Sequence, residues 1–223
     1  MKKKIIFVAF SLVALLTFTG CNKKPKPTES ANSEIPSTTP VVAKDMSKFI
    51  SCVFESEKTI TGYNQVNKIT GNNMVMYQKT IDYTIDRSTK TSSYSDEEQK
   101  VDLYSDDLGV TTSRTSYETS DNNKYVNGKL VDDNYKLPSF VLIFNLDDEY
   151  LSAPSITSTT TSDTLNATIK NDKLSVFFLD KTFTNMKDVE VTIILENDKI
   201  SSFYAKYNSN NRLNEITINY KQA

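Results

Sequence analysis

Several segments alternate apolar and polar residues with a period of two, and this pattern constrains the fold more than any other feature. The clearest are residues 189–195, 203–207 and 216–220, and similar alternation occurs at 77–85 and 165–169. Successive side chains of a strand point to opposite faces, so each segment is predicted to be a half-buried β-strand. Short polar stretches join them, which favours antiparallel pairing of neighbours.

Turn-forming residues stand between these segments. Asn127-Gly128 separates KYV from KLV and predicts a tight type I′ hairpin. Asn171-Asp172, the residues Asn197 to Lys199 and the string SNNR from Ser209 mark further breaks. The sequence therefore predicts a mainly antiparallel sheet built of successive hairpins.

Two apolar segments do not alternate and are predicted to be short helices. LPSFVLIFNL begins at Leu137 and LSVFFL at Leu174, and we place helices near residues 138–146 and 172–180. A third amphipathic helix is expected from Met46, capped by Asp45. The fold class is α+β, with helices packed on one face of the sheet.

Two stretches, from Ser88 and from Thr111, are rich in serine and threonine. Strands made of such residues must display polar side chains on at least one face, so we expect them at an edge or facing solvent.

The chain of 223 residues contains no histidine and no tryptophan. This excludes Ser-His-Asp and Cys-His nucleophile systems and histidine-ligated zinc. Adjacent acidic residues such as Asp132-Asp133 and 147–149 lack the spacing of a calcium loop and are interpreted as solvated turns. We expect no enzyme, no cofactor and no metal site.

The N-terminus has the layout of an exported protein. Three lysines at positions 2–4 precede an apolar run at 5–16, and small or polar residues lead to Cys21. The stretch from Ile5 to Gly20 is shorter than the roughly 20 residues that cross a bilayer. Residues 1–20 are therefore predicted to be a signal peptide.

The string FTGC resembles the lipobox of bacterial lipoproteins, with Phe18 where the pattern prefers leucine. The resemblance implies lipidation of Cys21 and a protein anchored to the extracytoplasmic face of the cell membrane, since two acyl chains give stable anchoring.

Residues 21–44, rich in proline and lysine, are expected to be a disordered stalk, and residues 45–223 a single β-rich domain. Cys52 is then left without a partner and is interpreted as a small buried hydrophobe, with a reactive thiol as the alternative.

Charge narrows the choice of partners. Removal of residues 1–20 leaves 23 basic and 28 acidic residues, and the domain from Asp45 has 19 and 26, a net charge of −7. No basic run is long enough to follow a phosphate backbone, so nucleic acid is not expected as a partner. We expect a monomer attached to the membrane.

The order of elements from Asn122 to Tyr220 resembles the lipoprotein-carrier superfold, which includes the periplasmic lipoprotein chaperone and mycobacterial lipid-binding lipoproteins. The resemblance implies a curved, half-open barrel with short helices on its concave face, enclosing a cavity for a lipid or another apolar ligand. Its lining candidates are Phe140, Phe144, Phe177 and Phe178, which could equally be core residues. The alternative function is a surface interaction or envelope-structural lipoprotein without a ligand cavity.

Overall fold

The alternating segments form the strands of one antiparallel sheet in the computed structural model, which describes residues 44–101, 109–120, 122–138, 141–179 and 186–223. All of them lie in one compact unit. The strands are β1 (Ile60–Gly71), β2 (Met74–Asp86), β3 (Thr91–Val101), β4 (Val110–Ser120), β5 (Asn123–Val126), β6 (Lys129–Asp132), β7 (Leu151–Ser158), β8 (Ser162–Ile169), β9 (Lys187–Glu196), β10 (Lys199–Ser209) and β11 (Arg212–Gln222).

The strands are ordered β6-β5-β4-β3-β2-β1-β11-β10-β9-β8-β7. Each half of the chain forms one antiparallel meander, and β1 pairs with β11 where the two meanders meet. Tyr63 lies opposite Tyr220 in this central pair. Among the described strands β6 and β7 are the two edges, so the sheet is open. The predicted α+β class and mainly antiparallel sheet are confirmed at this level.

The tight turns follow the predicted chemistry. Asn127 and Gly128, between β5 and β6, both have positive φ angles, as a type I′ turn requires. Asn197 with Asp198 and Asn210 with Asn211 adopt the same left-handed conformation. Asparagine tolerates this conformation better than most residues, which is why asparagine pairs can form these turns.

The helix expected after Asp45 is present as α1 (Met46–Ser56). The Asp45 carboxylate accepts a hydrogen bond from the Lys48 backbone N–H at 2.8 Å and so caps its first turn. Phe49 and Val53 are fully buried. At the other end, the buried Ser56 hydroxyl accepts from the Ile200 N–H at 3.1 Å, which ties α1 to β10.

The helix predicted at 138–146 is wrong for the part that the structure describes. Residues 141–147 are neither helix nor strand. They belong to the connection from β6 to β7, residues 133–138 with 141–147, which we name the crossing segment. Backbone N–H groups of Val141 and Leu142 bind the Glu57 carboxylate, so tertiary contacts replace the hydrogen bonds of a helix.

The helix predicted at 172–180 exists in shorter form. A 3₁₀ turn at Asn171–Lys173 leads into α2 (Leu174–Phe177). Neither Asn171 nor Asp172 caps α2, which follows Lys173 without a side-chain cap. The segment supplies only one turn, and Leu174 and Phe177 are its buried residues.

The apolar core lies on one face of the central and C-terminal strands. Buried residues of the sheet meet those of α1, α2 and the crossing segment there. The largest completely buried side chains include Phe49, Phe144, Phe177, Phe203 and Ile193. This arrangement is a two-layer packing of sheet against helices and irregular chain.

Gly62 stands at a β-bulge where β1 approaches β2 closely. A Cβ atom at this position would lie 2.2 Å from the Tyr83 carbonyl oxygen, a backbone atom that cannot rotate away. We expect Gly62→Ala to lower the free energy of unfolding by about 2 kcal/mol or more, the scale of an overpacked site. Urea denaturation followed by circular dichroism measures the change.

Gly71→Ala in the same strand is the matched control. Its Cβ would lie 3.4 Å from the flexible Arg212 side chain and 3.6 Å from that of Met76, which are ordinary contacts with movable groups. We expect a change within about 0.5 kcal/mol. Equal losses in the two variants would contradict the close approach at Gly62.

Candidate interaction surface

Three of the four phenylalanines predicted to line a cavity are described, and they pack against one another. The Phe144 and Phe177 rings stack with centroids 5.6 Å apart, and Phe178 meets Phe177 edge-on at 5.0 Å. Phe144 is 1%, Phe177 0% and Phe178 5% exposed. These distances are those of aromatic core packing. Phe140 lies outside the described residues, and the ligand-lining role stays a prediction.

The centre of this cluster is Phe203 of β10, which the sequence analysis placed on a strand but not at the site. Its ring stacks on Phe144 with centroids 4.5 Å apart and is fully buried. The sequence signal for the burial of Phe203 was its position on the apolar face of the alternating segment 203–207. The strand order that sets it opposite Phe144 could not be derived from alternation alone.

Four surface depressions between described residues lie elsewhere, and none of these four is lined by the clustered phenylalanines. Two of them flank β4 and the Asn127 turn. One, of about 380 Å³, includes Asp82, Arg114 and Ser116, and the other, of about 440 Å³, includes Tyr117 and Tyr125. Their linings are polar or aromatic, unlike the predicted apolar cavity.

Five tyrosines occupy directly opposed positions on neighbouring strands. Tyr220, Tyr63, Tyr83, Tyr94 and Tyr117 follow one another across β11, β1, β2, β3 and β4. The Tyr63 and Tyr83 ring centroids are 5.3 Å apart, and Tyr94 stacks on Tyr117 at 4.7 Å. Cross-strand aromatic pairs stabilise a sheet, so this tyrosine row connects the packed half to the outer strands.

A charged network continues from the tyrosine row. The Asp96 carboxylate binds the Lys79 ammonium at 2.8 Å and accepts from the Tyr94 hydroxyl at 2.7 Å. Burial alone would raise the pKa of Asp96, but these two hydrogen bonds outweigh it and hold the pKa below its ordinary value. Burial, followed by the bond to Asp96, raises the pKa of Tyr94 to about 12. Both groups keep their ordinary charge at neutral pH.

The four strands β3–β6, which we name the wing, extend the sheet beyond the packed core. In its described part the buried side chains are Ser92 and Thr119, both polar. All residues from Val110 to Ser116 are exposed, and so are Leu130 and Val131 of β6. The prediction that the stretch from Thr111 faces solvent is confirmed. Polar side chains are therefore exposed on both faces along residues 110–116 of β4, while Tyr94 of β3 still packs against the core.

Glu57 attaches the crossing segment to the end of α1. Its carboxylate accepts from the Val141 N–H and, at 3.0 Å, from the Leu142 N–H, and Arg87 lies 3.5 Å away. Burial raises the pKa of Glu57, against the opposing effect of the two N–H bonds and Arg87. The side chain thereby satisfies two buried backbone donors.

Lys44 holds the beginning of the described chain against the sheet. Its ammonium group binds the Asp163 carboxylate at 3.0 Å, binds Asp198 as well, and lies 3.5 Å from the Cys52 sulfur. Burial lowers its pKa, but the bonds to both carboxylates outweigh that effect and raise it. Cys52 is half-buried and packs against the core, so its interpretation as a small buried hydrophobe is met in part.

The acidic clusters that the structure describes serve as local caps. Asp147 accepts from the Glu149 N–H and Asp132 from the Asn134 N–H, each at 2.9 Å. No group of three or more Cys, Asp or Glu side chains in the described ranges is placed to hold a metal ion. Cys21 and the predicted stalk up to residue 43 lie outside those ranges.

No protein-family model matches this chain, and no curated protein is similar to it in sequence. Within the described residues no helix has both the length and the apolar character needed to cross a bilayer.

The Glu57 contacts predict a large effect of truncating this side chain. Glu57→Ala removes the acceptor of two buried N–H groups, and we expect it to lower the free energy of unfolding by about 2 to 4 kcal/mol. Glu55→Ala is the matched control, because that carboxylate is exposed and, among the described residues, accepts from the Ser51 hydroxyl alone, at 3.3 Å. Urea denaturation compares the two, and equal effects would contradict the assigned role.

Proposed function

We propose that the protein is a lipoprotein anchored to the extracytoplasmic face of the cell membrane through Cys21, and that its wing binds another macromolecule of the cell envelope. The proposal for the anchor is supported by the basic start, the short apolar run and the lipobox-like FTGC. The proposal for the wing is supported by the exposure of residues 110–116 of β4 on both faces.

The single observation that favours binding is the polar composition of the wing. A sheet is normally stabilised by apolar burial on at least one face. In the wing the described interior is a Ser92–Thr119 hydroxyl pair 3.1 Å apart, and no apolar side chain is buried there among the described residues. Such an extension adds little to the core. It adds a large, ordered surface with stacked tyrosines and exposed strand edges.

We also propose that the sheet curves around α1 and α2 as a half-open barrel with the helices on its concave face. Bulges in β1 at Ile60/Gly62 and in β10 at Ile200/Ser202 support this, because a β-bulge bends and twists its strand. A second pair of irregularities, at Ile69/Thr70 and Ser152/Ser155, would extend the curvature to both meanders.

The competing function is that of a lipid carrier. The observation that favours it is the meeting of Phe144, Phe177 and Phe178 at one place, where the resemblance to lipid-binding lipoproteins puts a ligand. Binding there requires these rings to separate, because each is almost completely buried. Lipid binding at these rings therefore needs a test separate from that of the wing.

The anchor is tested by metabolic labelling with a fatty acid. We expect label in the wild type and none in Cys21→Ser, because the thioether requires the Cys21 sulfur. Cys52→Ser is the matched control and should be labelled like the wild type. Equal labelling of Cys21→Ser would contradict the anchor.

The wing is tested by photo-cross-linking in living cells. A photoreactive amino acid at the exposed Ser113 of β4 should give a discrete cross-linked species, whereas the same residue at the exposed Glu190 of β9 should not. The contrast is expected because β9 belongs to the half of the sheet that packs the core. Equal or absent cross-linking at both positions would contradict binding by the wing.

The lipid-carrier function is tested by native mass spectrometry of the purified full-length Cys21→Ser variant, which has no lipid anchor. Retained lipid that is lost in Phe144→Ala and Phe178→Ala would favour the carrier function. An unloaded protein that gains no thermal stability from added phospholipid would exclude it, because a ligand that binds only the native state must stabilise it.

A further inference from the structure

Strand β4 has one edge without a neighbour over half of its length. It pairs with β3 from Val110 to Thr119, but β5 pairs only with Tyr117 to Ser120. At Ser116 the gap is filled by Asn127, whose N–H donates to the Ser116 carbonyl at 3.1 Å and whose side-chain oxygen accepts from the Ser116 N–H at 3.3 Å. In the described part of the chain, no strand lies beside residues 110–115.

The backbone groups along this edge point outward at every second residue. The Ser116 N–H and carbonyl face the Asn127 side, so the alternation of an antiparallel ladder turns the same groups of Arg114, Thr112 and Val110 to the open edge. All three residues are exposed, and Val110 is 61% exposed. The edge offers three donors and three acceptors in the geometry that an added strand requires.

The opposite edge of the sheet is protected against such pairing. In β7, Pro154 lacks an N–H, Ala153 has a φ of 49° and a bulge lies between Ser152 and Ser155. Proline and bulges are devices that prevent strand addition. The open part of β4 has no proline, its pairing with β3 is regular, and its one charged residue is Arg114.

We propose that the occupant of this edge is a second copy of the chain, with two β4 strands pairing antiparallel about a two-fold axis at Thr112. Outward-facing residues must lie opposite each other in such a pair. With Thr112 opposite Thr112 of the second copy, Val110 lies opposite Arg114 and Arg114 opposite Val110, so all three outward residues are used. An axis at Ser113 would use only Thr112 and Arg114, because Ser116 is already bound to Asn127.

This register also suits the side chains. The two Arg114 residues would be offset by four residues along the strands, about 13 Å, which exceeds the screening length of roughly 8 Å at physiological ionic strength. Each Arg114 keeps its bond to Glu97, at 2.8 Å, while its aliphatic part covers the exposed Val110 of the other copy. No like charges are directly opposed in this pairing.

Such an interface is small, and association in free solution should be weak because it falls below the 1,200 Å² or so of standard complexes. Confinement of two copies to one membrane raises their effective concentration and favours pairing. The self-association thus rests on the proposed anchor and gives the wing a partner, in place of the monomer expected from the sequence.

The test uses the full-length lipidated protein in vesicles and two single-cysteine additions, Thr111→Cys and Ser113→Cys. In the proposed register Thr111 lies opposite Ser113 of the other copy and forms a non-hydrogen-bonded pair with it. The Cα atoms of such a pair are about 4.5 Å apart, a distance that a disulfide can bridge. After mild oxidation, a mixture of the two variants should give about tenfold more cross-linked dimer than either alone, since residues that are not opposed exceed disulfide reach.

Two controls make the result specific. A mixture of Ser155→Cys and Thr157→Cys, both exposed on the protected β7 edge, should give only the background of the wild type, which retains Cys52. Thr112→Pro removes an outward N–H without touching the pairing with β3. Introduced into both cysteine variants, it should return the mixture to background, while circular dichroism stays unchanged.

Equal dimer in the mixed and single preparations, or equal dimer at β7, would overturn the proposal. A failure of anchoring is distinguishable, because the protein would then be missing from the vesicle fraction. A failure of strand pairing would instead leave vesicle-bound protein without the mixed dimer.

Discussion

The rest of the structure depends on one connection, the passage of the chain from β6 to β7 at opposite edges of the sheet. Nine strands lie between β6 and β7, so the connection must cross the face of the sheet that they form. Residues 141–147 of this connection are neither helix nor strand. Their backbone donors are bound by other elements of the fold, in place of the intrahelical bonds that the predicted helix over 138–146 would need.

An extended segment over an apolar sheet must find partners for its backbone groups, because unpaired buried N–H groups are costly. Glu57 binds two of them, and the Phe177 carbonyl accepts from the Asn145 N–H at 2.6 Å. Both partners come from helical turns that precede or follow strands of the core half. The turns at Glu57 and α2 are thus required by the crossing segment as much as by the sheet.

The predictability of the fold from sequence differs between its parts for physical reasons. Alternation identifies β9, β10 and β11 because one face of each is buried, and Asn127-Gly128 identifies a turn through its positive φ angles. Strand order and register depend on contacts between residues far apart in the chain, so the pairing of Phe203 with Phe144 and the tyrosine row could not be derived. The role of Glu57 was missed because an isolated acidic residue after a helix carries no local signal of burial.

The contacts of Lys44 show which half of the sheet the described chain meets first. Lys44 binds Asp163 of β8, which is seven strand positions from β4, and Asp198 of the β9–β10 turn. Both partners lie in the C-terminal meander, so the described chain begins on the core half of the sheet and not on the wing. A tether attached at this end, as the proposed anchor requires, would therefore hold the packed half and not the wing strand β4 whose edge is proposed to pair.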